Sequence, residues 1–340
     1  MKTLHAQAVF SSCRTAAREA GRQSGLTLVE LLVALAISSI VAVAAVSALI
    51  VSRQGLTTVD AASQLRDNAR FATDLIQRLG VQAGYEDLIY ATTNRPANVT
   101  GIGANPEPYV SGFNNSTPSA TAPDSSATAR TAGTIGYGSD VLVLRYQASE
   151  TFPGSGVSDK TMINCAGSPS SAIPQNRDDR MLSVLYVDIS QGEPSLMCST
   201  GPSTGYPIIQ GVENFQVLYG VDNVTPNTAP GSTTTDSVAD RFLRADQMVV
   251  TGDVVGTNAN WRRVRSLRIG MVIRGPVGSA QDSSAQTFYP LGQAKNASGG
   301  SAGSAMSSSN DPGTIFSPGA DSRMRQVVTF TIHLRNEQGL

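Results

Sequence analysis

The chain has 340 residues, 15% of them charged and 40% hydrophobic, with a formal net charge of -1. The first 25 residues carry Lys2, Arg14, Arg18 and Arg22 against Glu19 alone, a net +3 that leaves the remainder near -4. A weakly acidic body argues against nonspecific phosphate binding as the main task. Abundant Gly, Ser, Thr and Ala suit a secreted β-rich protein with long polar loops better than a compact cytosolic enzyme, and the length allows one large or two modest domains.

From Leu31 to Val51 run 21 residues without a charge or a proline. That is enough to cross a bilayer core as a helix rising about 1.5 Å per residue. The basic leader keeps the N-terminus in the cytoplasm and sends the body across. A secretory signal has a shorter apolar core followed by a small-x-small cleavage site; here the run is long and the small residue, Gly25, precedes it. This order points to cleavage on the cytoplasmic side, between Gly25 and Leu26. One acid, Glu30, lies at the entrance, where a lone carboxylate is costly unless it meets a partner or snorkels to the headgroups.

The stretch SGLTLVELLVALAIS, Ser24 to Ser38, resembles the processing motif of type IV prepilins and type II secretion pseudopilins. Its elements are a glycine, an apolar first mature residue and a glutamate fifth after the cut. The resemblance implies that residues 1–25 are a leader removed by a prepilin peptidase, and that the same enzyme N-methylates the new amine of Leu26. Leu26 stands where the family usually has phenylalanine. The resemblance also gives Glu30 a partner: the N-terminal amine of a stacked neighbour, which sets axial register as a lone buried polar group does elsewhere.

The helical period continues past Arg53. Ala62, Leu65, Ala69, Ala72, Ile76 and Leu79 form one apolar stripe, with Arg66, Arg70, Asp74 and Arg78 on a separate line. Gly80 or Gly84 can end the helix. The pattern predicts one helix of about 54 residues, roughly 80 Å long. Residues 26–54 are its membrane and filament-core half, and residues 55–84 its amphipathic half. No proline loosens the apolar half, where Ser47 takes the place of one common in major pilins. Ser38 and Ser39 are its only polar pair and are expected to bond back to helix carbonyls.

Residues 85–340 read as a periplasmic β-rich head. Strands are expected over 139–147, 181–189, 212–222, 261–275 and 325–336, the fourth with Leu267, Ile269, Met271 and Ile273 on one face and Arg268 and Arg274 opposite. Cover for these faces is simplest as one antiparallel sheet packed on the helix stripe. The expected class is therefore α+β, a type IV pilin-like ladle. Ser/Thr/Gly-rich stretches near 111–133, 223–237 and 279–312 read as surface loops without chemistry of their own. If the leader is removed, Cys165 and Cys198 are the cysteines left in an exported body. A disulfide is the natural use of that pair, with two free thiols as the alternative.

The helix end ARFATDLIQRLGVQAGY, followed by GVENFQVLYGVD, WRRVRSLRIGMVIRG and the terminal TFTIHLRN, resembles the PilW group of minor pilins. The related pseudopilin J subunits of type II secretion share this order. The resemblance implies a structural subunit that promotes pilus assembly or initiation in a tip-associated minor-pilin complex. It begins in the inner membrane with its head periplasmic and then joins the pulled-out fibre. Implied partners are the prepilin peptidase, other minor pilins, the major pilin and a large tip adhesin; downstream roles are twitching and attachment. The alternatives are a J-like pseudopilin and, in another class, a membrane-anchored periplasmic enzyme.

Enzyme chemistry finds little support. Beyond the leader the one histidine is His333, on the polar face of the last strand, with no nucleophile elbow to serve. No clustered Cys and His suggest zinc, and the segment holding Asp222 and Asp236 lacks calcium-loop spacing. No glycine cluster follows a strand into a helix, so no phosphate loop and no cofactor is expected. Arg262, Arg263, Arg265 and Arg268 read as a solvated strand face rather than a nucleic-acid surface. Trp261 reads as a core or edge anchor.

Overall fold

The computed structural model describes residues 25–87, 107–175, 178–203, 205–231, 235–293 and 315–336. The expected leader, up to residue 24, lies outside them, as do 294–312 of the last loop. The chain divides into two compact units, Met1–Arg53 and Gln54–Leu340. Helix α1 spans Leu28–Gln82, 55 residues.

In the first unit the apolar residues of α1 are exposed throughout. Hydroxyls there turn inward to the helix: Ser38 Oγ donates to Ala34 O at 2.6 Å, Ser39 Oγ to Ala36 O at 2.8 Å and Ser47 Oγ to Val43 O at 2.8 Å. The polar groups are thus satisfied within one helix, as a hydrocarbon environment requires.

In the second unit α1 buries Ala61, Leu65, Ala69, Ala72, Ile76 and Leu79. The stripe begins at Ala61 rather than the expected Ala62, because steps of four from Leu65 back to Ala61 keep the buried face in line. Gly80 lies inside the helix and closes against Ile332, where a Cβ would stand 2.9 Å from Ile332 Cγ2. Gly84, at φ +77°, takes the left-handed turn after the last helical residue. The Asp74–Arg78 pair does not form; Arg78 Nη2 instead donates to Thr161 O at 3.5 Å.

Eleven strands follow among the described residues: β1 (Val110–Phe113), β2 (Ser116–Pro118), β3 (Ala127–Ala129), β4 (Val141–Tyr146), β5 (Met181–Ser190), β6 (Glu193–Ser199), β7 (Tyr206–Gln210), β8 (Val212–Val221), β9 (Arg241–Leu243), β10 (Val264–Arg274) and β11 (Arg325–His333). Two short helices, α2 (Ala245–Met248) and α3 (Val254–Arg262), precede β10. The strands form two antiparallel sheets rather than one, ordered β1-β4-β5-β6-β7 and β11-β10-β8-β9, plus a β2-β3 ribbon. The break falls at Gly211, between β7 and β8, with φ +87°. Its N–H donates to Pro194 O on β6, while its carbonyl accepts from Arg274 N on β10, each at 2.7 Å. One residue therefore ties both sheets at their corner.

Period-two alternation supplies two cores. Leu142, Leu144, Leu185, Leu196 and Cys198 face the main core with the α1 stripe and with Phe215, Val217, Tyr219, Leu267, Ile269, Met271 and Ile273. Val141, Val143, Val184, Tyr186 and Met197 face the other way and form a second cluster. The 111–133 stretch is not an open loop: it holds most of β1 and all of β2 and β3, and β2 packs on β4 and β5. The physical reason is that β4 and β5 are apolar on both faces, so their outer face also needs a cover.

The strand expected to start at Trp261 begins at Val264. The residues before it are helical because Asp253 caps α3, its Oδ1 accepting from Gly256 N at 2.8 Å. Trp261 is buried, its ring edge-on to Tyr219 at 4.7 Å between centroids.

Candidate functional site: the N-terminal assembly segment

Gly25, Leu26 and Thr27 precede α1 and are exposed, so the Gly25–Leu26 peptide is accessible. Thr27 O accepts the first intrahelical bond, from Leu31 N at 3.1 Å, which makes Thr27 the N-cap. Glu30 N donates to Thr27 Oγ1 at 3.2 Å, and Thr27 N donates to Glu30 Oε2 at 3.0 Å. Thr27 Oγ1 also donates to Glu30 Oε2, at 2.9 Å. This is a reciprocal capping box, Thr-x-x-Glu ahead of an apolar run. Thr27 is the residue that reading the motif for Glu30 alone passes over, although the spacing of the box is present in the sequence.

Beyond Glu30, α1 contains a window that is long and apolar enough to cross a membrane. An acid at the first turn faces the positive end of the helix dipole. Glu30 is thus held in place by its own chain while its carboxylate remains exposed.

The head holds the other predicted residues. Cys165 and Cys198 are joined in a disulfide that closes a 33-residue separation. Cys165 N also donates to Ser183 Oγ at 3.0 Å, so the turn before β5 is fastened to β5 and β6 at once. His333 is exposed on β11, as expected.

The arginines depart from expectation. Arg263 and Arg268 are buried. Arg263 donates to Asn223 O at 3.2 Å and Gly231 O at 3.0 Å; Arg268 donates to Leu291 O at 3.3 Å; Arg265 lies 3.7 Å from Asp222. The 223–231 segment folds over Arg263 just ahead of β10, and the segment holding Leu291 folds over the outer face of β10 at Arg268, so that guanidinium donors satisfy their carbonyls. A solvated face was expected because alternation alone does not reveal a loop that returns to cover it.

Arg274 belongs to a network across the sheet corner. It meets Glu193 at 2.7 Å and Glu213 at 2.8 Å; Arg323 meets Glu193 at 3.0 Å; Arg325 meets Glu213 at 2.6 Å and Asp321 at 2.7 Å. Burial alone would raise the Glu193 carboxyl, but hydrogen bonds from Arg274 and Arg323 hold it below its ordinary value. Three acids and three arginines leave little net charge, so the network reads as a structural clamp. Among the described residues no group of three or more His, Cys, Asp and Glu could hold a metal ion.

A long N-terminal apolar helix followed by antiparallel sheets, with the processing motif at the helix start, defines a type IV pilin-like protein. The family described as Type IV Pilus-assembly protein W matches residues 184–336, and the prokaryotic N-terminal methylation motif matches residues 21–46. These two matches support a type IV pilus minor pilin of the PilW group, with the role of a structural subunit. No curated protein matches the chain. Among solved structures it is similar to a type IV-like pilin from Thermus thermophilus, at 12% identity and a TM-score of 0.33, over 81% of this chain and 98% of that one.

Proposed function

We propose that the chain is cut after Gly25 by a prepilin peptidase, N-methylated at Leu26 and held in the inner membrane by the apolar half of α1, with the head periplasmic. From there it enters a pilus as a tip-associated subunit that primes assembly with other minor pilins. A large tip adhesin is the expected cargo of that complex. The observation that carries this reading is the conjunction of an accessible Gly25–Leu26 peptide, Glu30 at the first helical turn and an exposed apolar helix behind it.

The capping box sharpens the part Glu30 plays. In the single chain its carboxylate is occupied by Thr27. In a filament it neutralises the amine of a neighbour's Leu26, a stronger charge-assisted contact that draws it from its own cap. Thr27 keeps the acid oriented until that neighbour arrives.

The test is the N-terminal mass of membrane-extracted protein. A terminus at methylated Leu26, lost without the prepilin peptidase, supports the reading; an intact leader sinks it. Glu30→Ala is expected to spare cleavage and to deplete the subunit from sheared filaments at least tenfold. Normal incorporation of that variant would remove the register role.

A further inference from the structure

β11 is the edge of the four-stranded sheet and nine residues long. Leu334 N donates to Arg265 O at 2.9 Å, and the register pairs His333 with Ser266 without a shift down to Arg325. Antiparallel geometry then turns the N–H and C=O groups of Val327, Thr329, Thr331 and His333 away from β10. None of these groups has a backbone partner among the described residues. Proteins blunt such edges with proline, lysine or an inward charge. β7, at the edge of the other sheet, carries Pro207. The outward positions of β11 carry no such device.

An open groove of about 510 Å³ runs along this edge, between Arg66, Ala69, Arg70, Thr73 and Asp74 of α1 and residues 326–329 of β11. Neither Arg66 nor Arg70 has an ion-pair or hydrogen-bond partner among the described residues. Free backbone donors and acceptors call for an extended peptide, and two unpaired guanidiniums call for carboxylates beside it.

We propose that this groove receives an extended, carboxylate-bearing segment of a neighbouring pilus subunit, which adds to β11 as a further strand and sets its acids against Arg66 and Arg70. The proposal rests on the assembly reading above and names where the head grips its neighbour. Backbone pairing supplies affinity there, while the arginines choose register and partner.

The experiment replaces Gln326 with a photoreactive phenylalanine in full-length protein, in cells that make pili, and maps the crosslinks by mass spectrometry. The expected product joins Gln326 to one acidic extended segment of another pilin. Val327→Pro removes an outward N–H and leaves the β10 pairing intact; it is expected to lower the yield at least tenfold. Arg66→Glu with Arg70→Glu, both on the exposed side of α1, is expected to do the same and to be rescued by lysines at the partner's acids. Crosslinks confined to the chain's own residues, no peptide crosslink, or a yield unchanged in both variants would overturn the proposal. An uncleaved N-terminus in every form would mark failure of the assembly reading instead, whereas failure of this proposal alone leaves cleavage at Leu26 intact.

Discussion

Asp140 opens β4's approach to β8 with both carboxyl oxygens turned inward, Oδ1 accepting from Asn115 N at 2.9 Å and Oδ2 from Val217 N at 2.8 Å. Burial pushes this carboxyl from 3.8 up to about 7, outweighing the two backbone donors that favour its charge. The folded chain therefore keeps a proton that the unfolded chain releases between about pH 4 and 7, and stability falls through that window. The expected loss is on the order of 2–4 kcal/mol, read as a falling denaturant midpoint. Glu193 and Asp321, held below their ordinary values of 4.5 and 3.8, act with the opposite sign but only in the acid range below them. Asp140→Asn is expected to flatten the fall between pH 4 and 7, while leaving a backbone N–H against an amide at a cost of about 1–3 kcal/mol. Equal slopes for the two proteins would contradict this account of Asp140. Nothing in the composition around Ser139 and Asp140 announces the site; it exists because the turn at Asn115 and strand β8 converge on one carboxylate.

At the scale of elements, α1 was legible because its signal is long: an uninterrupted apolar run, then a stripe that recurs over about five turns. The central strands were legible from alternation and β-branched content. The sheet break was not, because it rests on one glycine whose neighbours read as continuous strand. Gly211 at φ +87° has the Arg274 carbonyl against the position a Cβ would take. Gly211→Ala is expected to cost at least about 1–3 kcal/mol from backbone conformation alone, with further loss as β8 and β10 shift. Chemical denaturation of the head measures it; an unchanged midpoint would mean that the corner is not constrained. The arginines of β10 belong to the same lesson. Alternation sends Arg268 away from the core, but only the returning Pro290–Leu291 segment makes that outer face an interior.

For the molecule as a whole, the disulfide is the covalent tie within the head. It closes a 33-residue separation, for which chain entropy predicts about 3–4 kcal/mol. Cys198→Ser is expected to lower the stability of the head by that order. A head equally stable with and without reductant would contradict the estimate. The sequence by itself determined the N-terminal motif and the long helix, because these are local: Gly25, Leu26, Glu30 and an apolar period all lie within a single stretch of chain. Only the tertiary structure decided that two sheets meet at Gly211, that Arg263 and Arg268 are covered and that β11 is left with a free edge. Those outcomes depend on which distant segments return to a given face, and hydrophobic periodicity records that a face is covered without naming what covers it.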